Sequence, residues 1–136
     1  MASPRREFVL RSEDVAYLDE SGRPWEAIQS GSDHWVLIHE YPVPDAYQTS
    51  TVSVALQLPS SYPDVQIDMA YFSPALSRAD GGLINTITSH EIDGQVWQRW
   101  SRHRTNQNPW RPGVDCIETH MLLVGEWLAR ELRTAS

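Results

Sequence analysis

The stretch TVSVALQL, residues 51–58, constrains the fold more than any other. Val52, Val54, Leu56 and Leu58 alternate with Thr51, Ser53, Ala55 and Gln57. A period of two sends successive side chains to opposite faces of an extended strand, so this stretch belongs to a sheet that buries one face. Pro42 and Pro44 precede it and Pro59 and Pro63 follow it, and proline ends a strand because it has no amide to give to the ladder. Similar runs at 25–29, 34–41 and 65–72 give four strands in all. The links SGSD, PVPDAYQ and PSSYPD are too short for a crossover, so the strands are expected to form an antiparallel meander.

Helices are expected on either side of this meander. Ser12 is placed to cap a helix over 12–20, with Glu13 and Asp14 in its first turn, Val15, Tyr17 and Leu18 on its apolar side and Gly22 at its end. Near the other terminus, Pro112 and Gly113 break the chain. Asp115 followed by Glu118 has the spacing of a capping box, and Ile117, Met121, Val124, Leu128 and Leu132 recur at helical intervals with Trp127 beside them. The spacing predicts a helix over 115–133 packed on the sheet. Between these parts, SPALSRADGGLINT has the composition of an exposed loop. Asp93-Gly94 reads as a tight hairpin turn. That turn would aim Trp97, Arg99, Ser101 and His103 to one side and Val96, Gln98, Trp100 and Arg102 to the other. The expected class is α+β, in one domain over 1–136.

Composition narrows the function classes. The 136 residues carry a formal charge of -7, with eleven basic side chains, all arginine, against eighteen acidic ones. An acidic chain disfavours non-specific attachment to nucleic acid or to an anionic membrane. A chain without lysine cannot be acylated on a side-chain amine. The single cysteine, Cys116, excludes an internal disulfide and an all-cysteine zinc site. The opening MASPRREFVLRSED has no apolar core of signal-peptide length, and no stretch approaches the roughly 18 apolar residues of a membrane helix. A reducing cytoplasm is the expected compartment.

The order helix, meander, irregular loop region, helix resembles the ubiquitin-conjugating-enzyme (UBC-like) fold. LPSSYPDVQIDMAYFSP looks like that family's passage in which Tyr-Pro ends the third strand and a short apolar strand runs to a proline. NPWRPGVDCIETHMLLVGEWL resembles its Trp-x-Pro turn, here Trp110 to Pro112, leading into a helix. SEDVAYLDESGRPWEAI, HWVLIHEYPVPDAY and WQRWSRH together look like a bacterial branch, the prokaryotic conjugating-enzyme-like family E. The resemblance implies a conjugation pathway with a ubiquitin-like modifier, an activating-enzyme homologue and a metal-dependent deconjugating peptidase as partners. It implies no cofactor.

The chemistry departs from that family. A conjugating enzyme holds its modifier as a thioester on a cysteine a few residues before the Trp-x-Pro turn, and here those positions are Ser101, Arg102 and His103. The family's His-Pro-Asn triplet has no match, although Asn85 and His90 lie nearby. Cys116, on the first turn of a helix with Arg111 beside it, is the alternative nucleophile, with His120 or His103 as base. Ser101 with His103 is a weaker pair, because serine needs an aligned base and oxyanion donors. Cys116 and His120 also share the i, i+4 spacing of two metal ligands, which alone is no site. The run from Trp97 to His120 also gathers Trp97, Arg99, Trp100, Arg102, Arg104, Trp110 and Arg111. These residues suit a single-stranded nucleic-acid surface or, better matched to an acidic chain, the recognition of a protein partner.

Overall fold

A computed structural model describes residues 4–133. The elements are α1 (Ser12–Glu20), β1 (Trp25–Ser30), β2 (Asp33–Pro42), β3 (Thr51–Leu58), β4 (Ala70–Ser73), β5 (Ile87–Ile92), β6 (Gln95–Trp100) and α2 (Ile117–Arg133). Both helices and the antiparallel meander stand where the sequence places them. The sheet, however, has six strands rather than four, in the order β1-β2-β3-β4-β6-β5. The hairpin expected beside the sheet is part of it, because β6 pairs with β4 through Ala70↔Trp100, Tyr71↔Arg99 and Phe72↔Gln98. Its turn is Asp93-Gly94 with φ of 53° and 78°, the two positive values that a two-residue hairpin requires.

β3 buries the side chains its alternation promised, and Val52, Val54, Leu56 and Leu58 face the helices. β4 starts later than expected. Residues 59–65 coil through turns in which Ser61 accepts from the amides of Asp64 and Val65, and Val65 is exposed. The loop after β4 is not simply exposed either. Leu76 and Arg78 are buried: the Gln98 side chain holds both backbone groups of Leu76, and Arg78 Nη1 donates to the carbonyl of Glu131 on α2 at 2.7 Å.

The helix starts also differ from expectation. Ser12 is the first helical residue rather than the cap, and its hydroxyl turns to Glu13. Asp115 does not cap α2. It is buried and accepts from the Arg111 amide at 2.7 Å. The free amides of α2 are met otherwise: Thr119 Oγ1 takes the amide of Cys116, and the Tyr62 hydroxyl takes that of Ile117.

Two hydrophobic clusters lie on opposite faces of the sheet. The larger joins α2, through Ile117, Met121, Val124 and Leu128, to Val36, Val54, Leu56, Phe72 and Trp100, with Leu18 of α1 alongside. The smaller gathers Ile28, Trp35, Leu37, Ala55, Tyr71, Ile92 and Trp97 on the outer face. Rings close this face by edge contacts, as Trp35 and Tyr71 do at 4.9 Å between centroids. No helix among the described residues is long and apolar enough to cross a membrane.

Candidate functional site

The residues singled out in the sequence converge on the edge where the chain leaves β6, runs through 101–116 and enters α2, but they play unequal parts there. The hairpin turn sets Trp97 and Trp100 on opposite faces of the sheet, as the alternation requires. Each is then buried in one of the two clusters, at 4% and 0% exposure. Neither ring can offer itself to a partner or a nucleic-acid base, which corrects the expectation that they belong to a binding surface. Trp100 instead donates its Nε1 proton to Gln98 at 2.9 Å. Arg99, on the outer face, reaches Thr88 at 2.9 Å.

Beyond β6 the chain is tied to the sheet and to α2. The Ser101 amide donates to Thr86, and Arg102 pairs with Glu131 at 3.0 Å with its guanidinium carbon 5.0 Å from the Trp100 ring. His103 is exposed and bonded to Asp68 at 2.9 Å. Arg104 turns inward: its side chain is only 5% exposed, stands 5.0 Å from the Trp110 ring and lies 3.9 Å from Asp115. Trp110, half-buried, donates to the carbonyl of Pro63 at 2.9 Å. Arg111 is exposed, with Nε 3.6 Å from Asp115. Burial by itself would raise the Asp115 carboxyl. The Arg111 amide, the Thr119 hydroxyl and the charges of Arg104 and Arg111 outweigh it and hold Asp115 below its ordinary range.

The candidate nucleophile and its bases are not assembled into one group. Cys116 is half-buried on the residue before α2. His120, one turn on, points into the core and donates through Nε2 to the carbonyl of Met69 at 2.8 Å. Burial is the main force that pushes its imidazole down to about 4, so it is neutral near pH 7. His103 is committed to Asp68 and lines a groove together with Arg104. That groove, about 410 Å³, lies between residues 103–108 and α2 and is lined by His103, Arg104, Asn108, Glu126, Trp127 and Arg130. A smaller one of about 230 Å³ adjoins it, with Arg102 and Glu131 on its walls. On the other side of the molecule a cleft of about 290 Å³ beside Ile87 and Val96 has no titratable lining. Among the described residues no three His, Cys, Asp or Glu side chains gather as a metal site would require.

One polar line-up was not legible in the sequence. His39 bridges Ser53 Oγ at 2.7 Å and Glu26 Oε1 at 2.9 Å across three strands. Glu26 also accepts from the backbone and side chain of Arg5, and these bonds hold its carboxyl down at about 2 against the effect of burial. The line-up straps the N-terminal segment to β1. Only strand register brings its members together.

The fold defined here is an α+β one, an antiparallel sheet flanked by an N-terminal and a C-terminal helix, with an arginine-rich edge where the sheet passes into α2. Residues 10–131 match the family model described as Prokaryotic E2 family E, and the chain belongs to that family. Membership points to a ubiquitin-conjugation-type pathway in a prokaryote. Comparison with curated proteins and with solved structures returns no match.

Proposed function

We propose that this protein is a non-catalytic or atypical conjugating-enzyme homologue, a UBC-like domain that holds a ubiquitin-like modifier or another pathway partner at the edge formed by residues 101–111 and α2. The partners in view are the modifier, an activating-enzyme homologue and a metal-dependent deconjugating peptidase. Family membership supports the pathway. The observation that carries the non-catalytic reading is the position of the lone thiol. Cys116 lies half-buried beside α2, with His120 turned into the core and His103 committed to Asp68, so neither imidazole is presented to it as a base. A thiol acts as nucleophile through its thiolate, which needs an electropositive and accessible setting. Here Arg104 and Arg111, the arginines that approach the neighbouring Asp115, are directed at its carboxylate.

The test is a charging reaction with the cognate activating enzyme, modifier and ATP, run on a non-reducing gel. No thiol-sensitive adduct is expected. An adduct that disappears in Cys116→Ala would make the protein a carrier and overturn the non-catalytic reading. Failure to bind any pathway component in a parallel titration would overturn the pathway assignment instead.

A further inference from the structure

The guanidinium of Arg104 is buried, yet its Nε and Nη2 have no hydrogen-bond partner among the described residues. These two nitrogens share one edge of the guanidinium plane, the edge whose parallel N–H groups meet both oxygens of a carboxylate. The neighbours that Arg104 does have lie elsewhere. The Trp110 ring addresses the guanidinium as a cation–π partner. Asp115 and Asn108 approach Nη1, at 3.9 Å and 3.4 Å, and Asp115 already accepts from the Arg111 amide. A buried charged edge left without partners is costly, and the chemistry that would complete it is a bidentate oxyanion.

We infer that the groove between residues 103–108 and α2 is a carboxylate-binding site with Arg104 as its buried anchor, and that its ligand is a monoanion carrying an apolar group, either the C-terminus of a peptide or a small carboxylic acid. Charge selects the monoanion. Around the two adjoining grooves the guanidiniums of Arg102, Arg104 and Arg130 face the carboxylates of Glu126 and Glu131, which leaves one net positive charge that a monoanion neutralises and a dianion such as phosphate would overcompensate. Leu123 and Trp127 supply the apolar wall. Beside Arg104 runs the exposed turn 105–109. It is held by the local bonds Asn108 N to Thr105 O and Gln107 N to Thr105 Oγ1 and by the 3.4 Å contact to Arg104, so it can lift without breaking the sheet or α2. The inference stands on Arg104 and its surroundings and does not rest on the pathway reading.

The experiment titrates the full chain with an N-acetylated tripeptide ending in leucine as the free acid, with the same peptide as its C-terminal amide, with acetate and with inorganic phosphate. The Arg104 Nε–H signal is followed by nuclear magnetic resonance, and affinity is measured by calorimetry. The free acid is expected to bind saturably and to shift the Arg104 signal, with the amide at least tenfold weaker and phosphate not competing. Acetate equal to the peptide would assign the site to small carboxylic acids, and acetate much weaker would assign it to chain ends. Arg104→Lys, which keeps the charge but loses the fork, and Arg104→Met should both abolish binding. Arg104→Met should remain folded by circular dichroism, so that its loss of binding reports the missing guanidinium, and Arg133→Gln should bind as the parent does. Equal binding of acid and amide, tighter binding of phosphate, or a folded Arg104→Met that still binds the acid would overturn the site.

Discussion

Trp97 and Trp100 stand three residues apart on β6, yet their indoles are buried on opposite faces of the sheet, one among Trp35, Tyr71 and Ile92 and the other among Phe72 and the residues of α2. This short strand therefore joins the two hydrophobic clusters. Removing either indole opens a cavity that the sheet, paired on both sides of β6, cannot collapse to fill. Trp100→Ala should cost about 3 to 5 kcal/mol of stability, and Trp97→Ala a loss of the same kind, with urea denaturation followed by circular dichroism as the measurement. A Trp100→Ala protein with unchanged stability and weakened partner binding would contradict this placement.

Tyr62 links the two helices through one hydroxyl, which donates to Asp14 on α1 at 2.8 Å and accepts from the Ile117 amide on α2 at 2.9 Å. Asp14 is buried, and desolvation outweighs its favourable contacts and raises its carboxyl. Tyr62→Phe should leave the ring packing intact while removing the hydroxyl from the Ile117 amide and from the buried Asp14 carboxylate, for a loss of roughly 1 to 3 kcal/mol. Equilibrium denaturation checks this value.

Strand alternation and turn chemistry were legible in the sequence, whereas the helix caps and the long-range pairings were not. The β3 alternation and the Asp93-Gly94 turn depend on neighbouring residues alone, and both were legible. The capping box at Asp115 and Glu118 had the right spacing, but the Asp115 carboxylate is claimed by the Arg111 amide and two guanidiniums, so Thr119 and Tyr62 cap α2 instead. The loop after β4 has a surface composition. Its Leu76 and Arg78 are buried only because Gln98 and α2 come to meet them. The joining of β6 to β4 is likewise a long-range pairing that no local pattern announces. At the candidate site the sequence singled out this edge and its arginines. It could not tell that Arg104 turns inward while Arg111 turns outward, because that depends on where Asp115 and Trp110 come to lie.

The buried imidazole of His120 makes stability depend on pH. Its folded value is about 4, below the ordinary 6.5. Between these values the unfolded chain binds a proton that the folded one refuses, so this contribution is complete above pH 6.5 and is lost as pH falls toward 4. The loss is roughly 3 kcal/mol. Glu26 and Asp80, held down at about 2, act in a lower window, from about 4.5 or 3.8 downward, and Asp14, shifted upward, acts in the opposite sense. Urea midpoints taken from pH 7 to 4 should therefore fall, and His120→Gln, though less stable at pH 7, should show a shallower fall over that interval. Parallel curves for the two proteins would assign the dependence to other groups.

Arg111 and Arg104 separate binding from folding at the partner edge. Arg111 is 64% exposed and its pairing with Asp115 is long, at 3.6 Å, so Arg111→Gln should change stability by less than about 1 kcal/mol. If the edge holds a modifier or an activating-enzyme homologue, the same change should weaken that complex by about 1 to 2 kcal/mol, since arginine at an interface is commonly an energetic anchor. Arg104→Glu makes the contrast. It places a carboxylate beside the buried Asp115, 3.9 Å from the present guanidinium, and should destabilise the fold itself. Calorimetric melting and titration with each partner measure both effects. Unchanged affinity of Arg111→Gln for every pathway component would remove this edge from the interface.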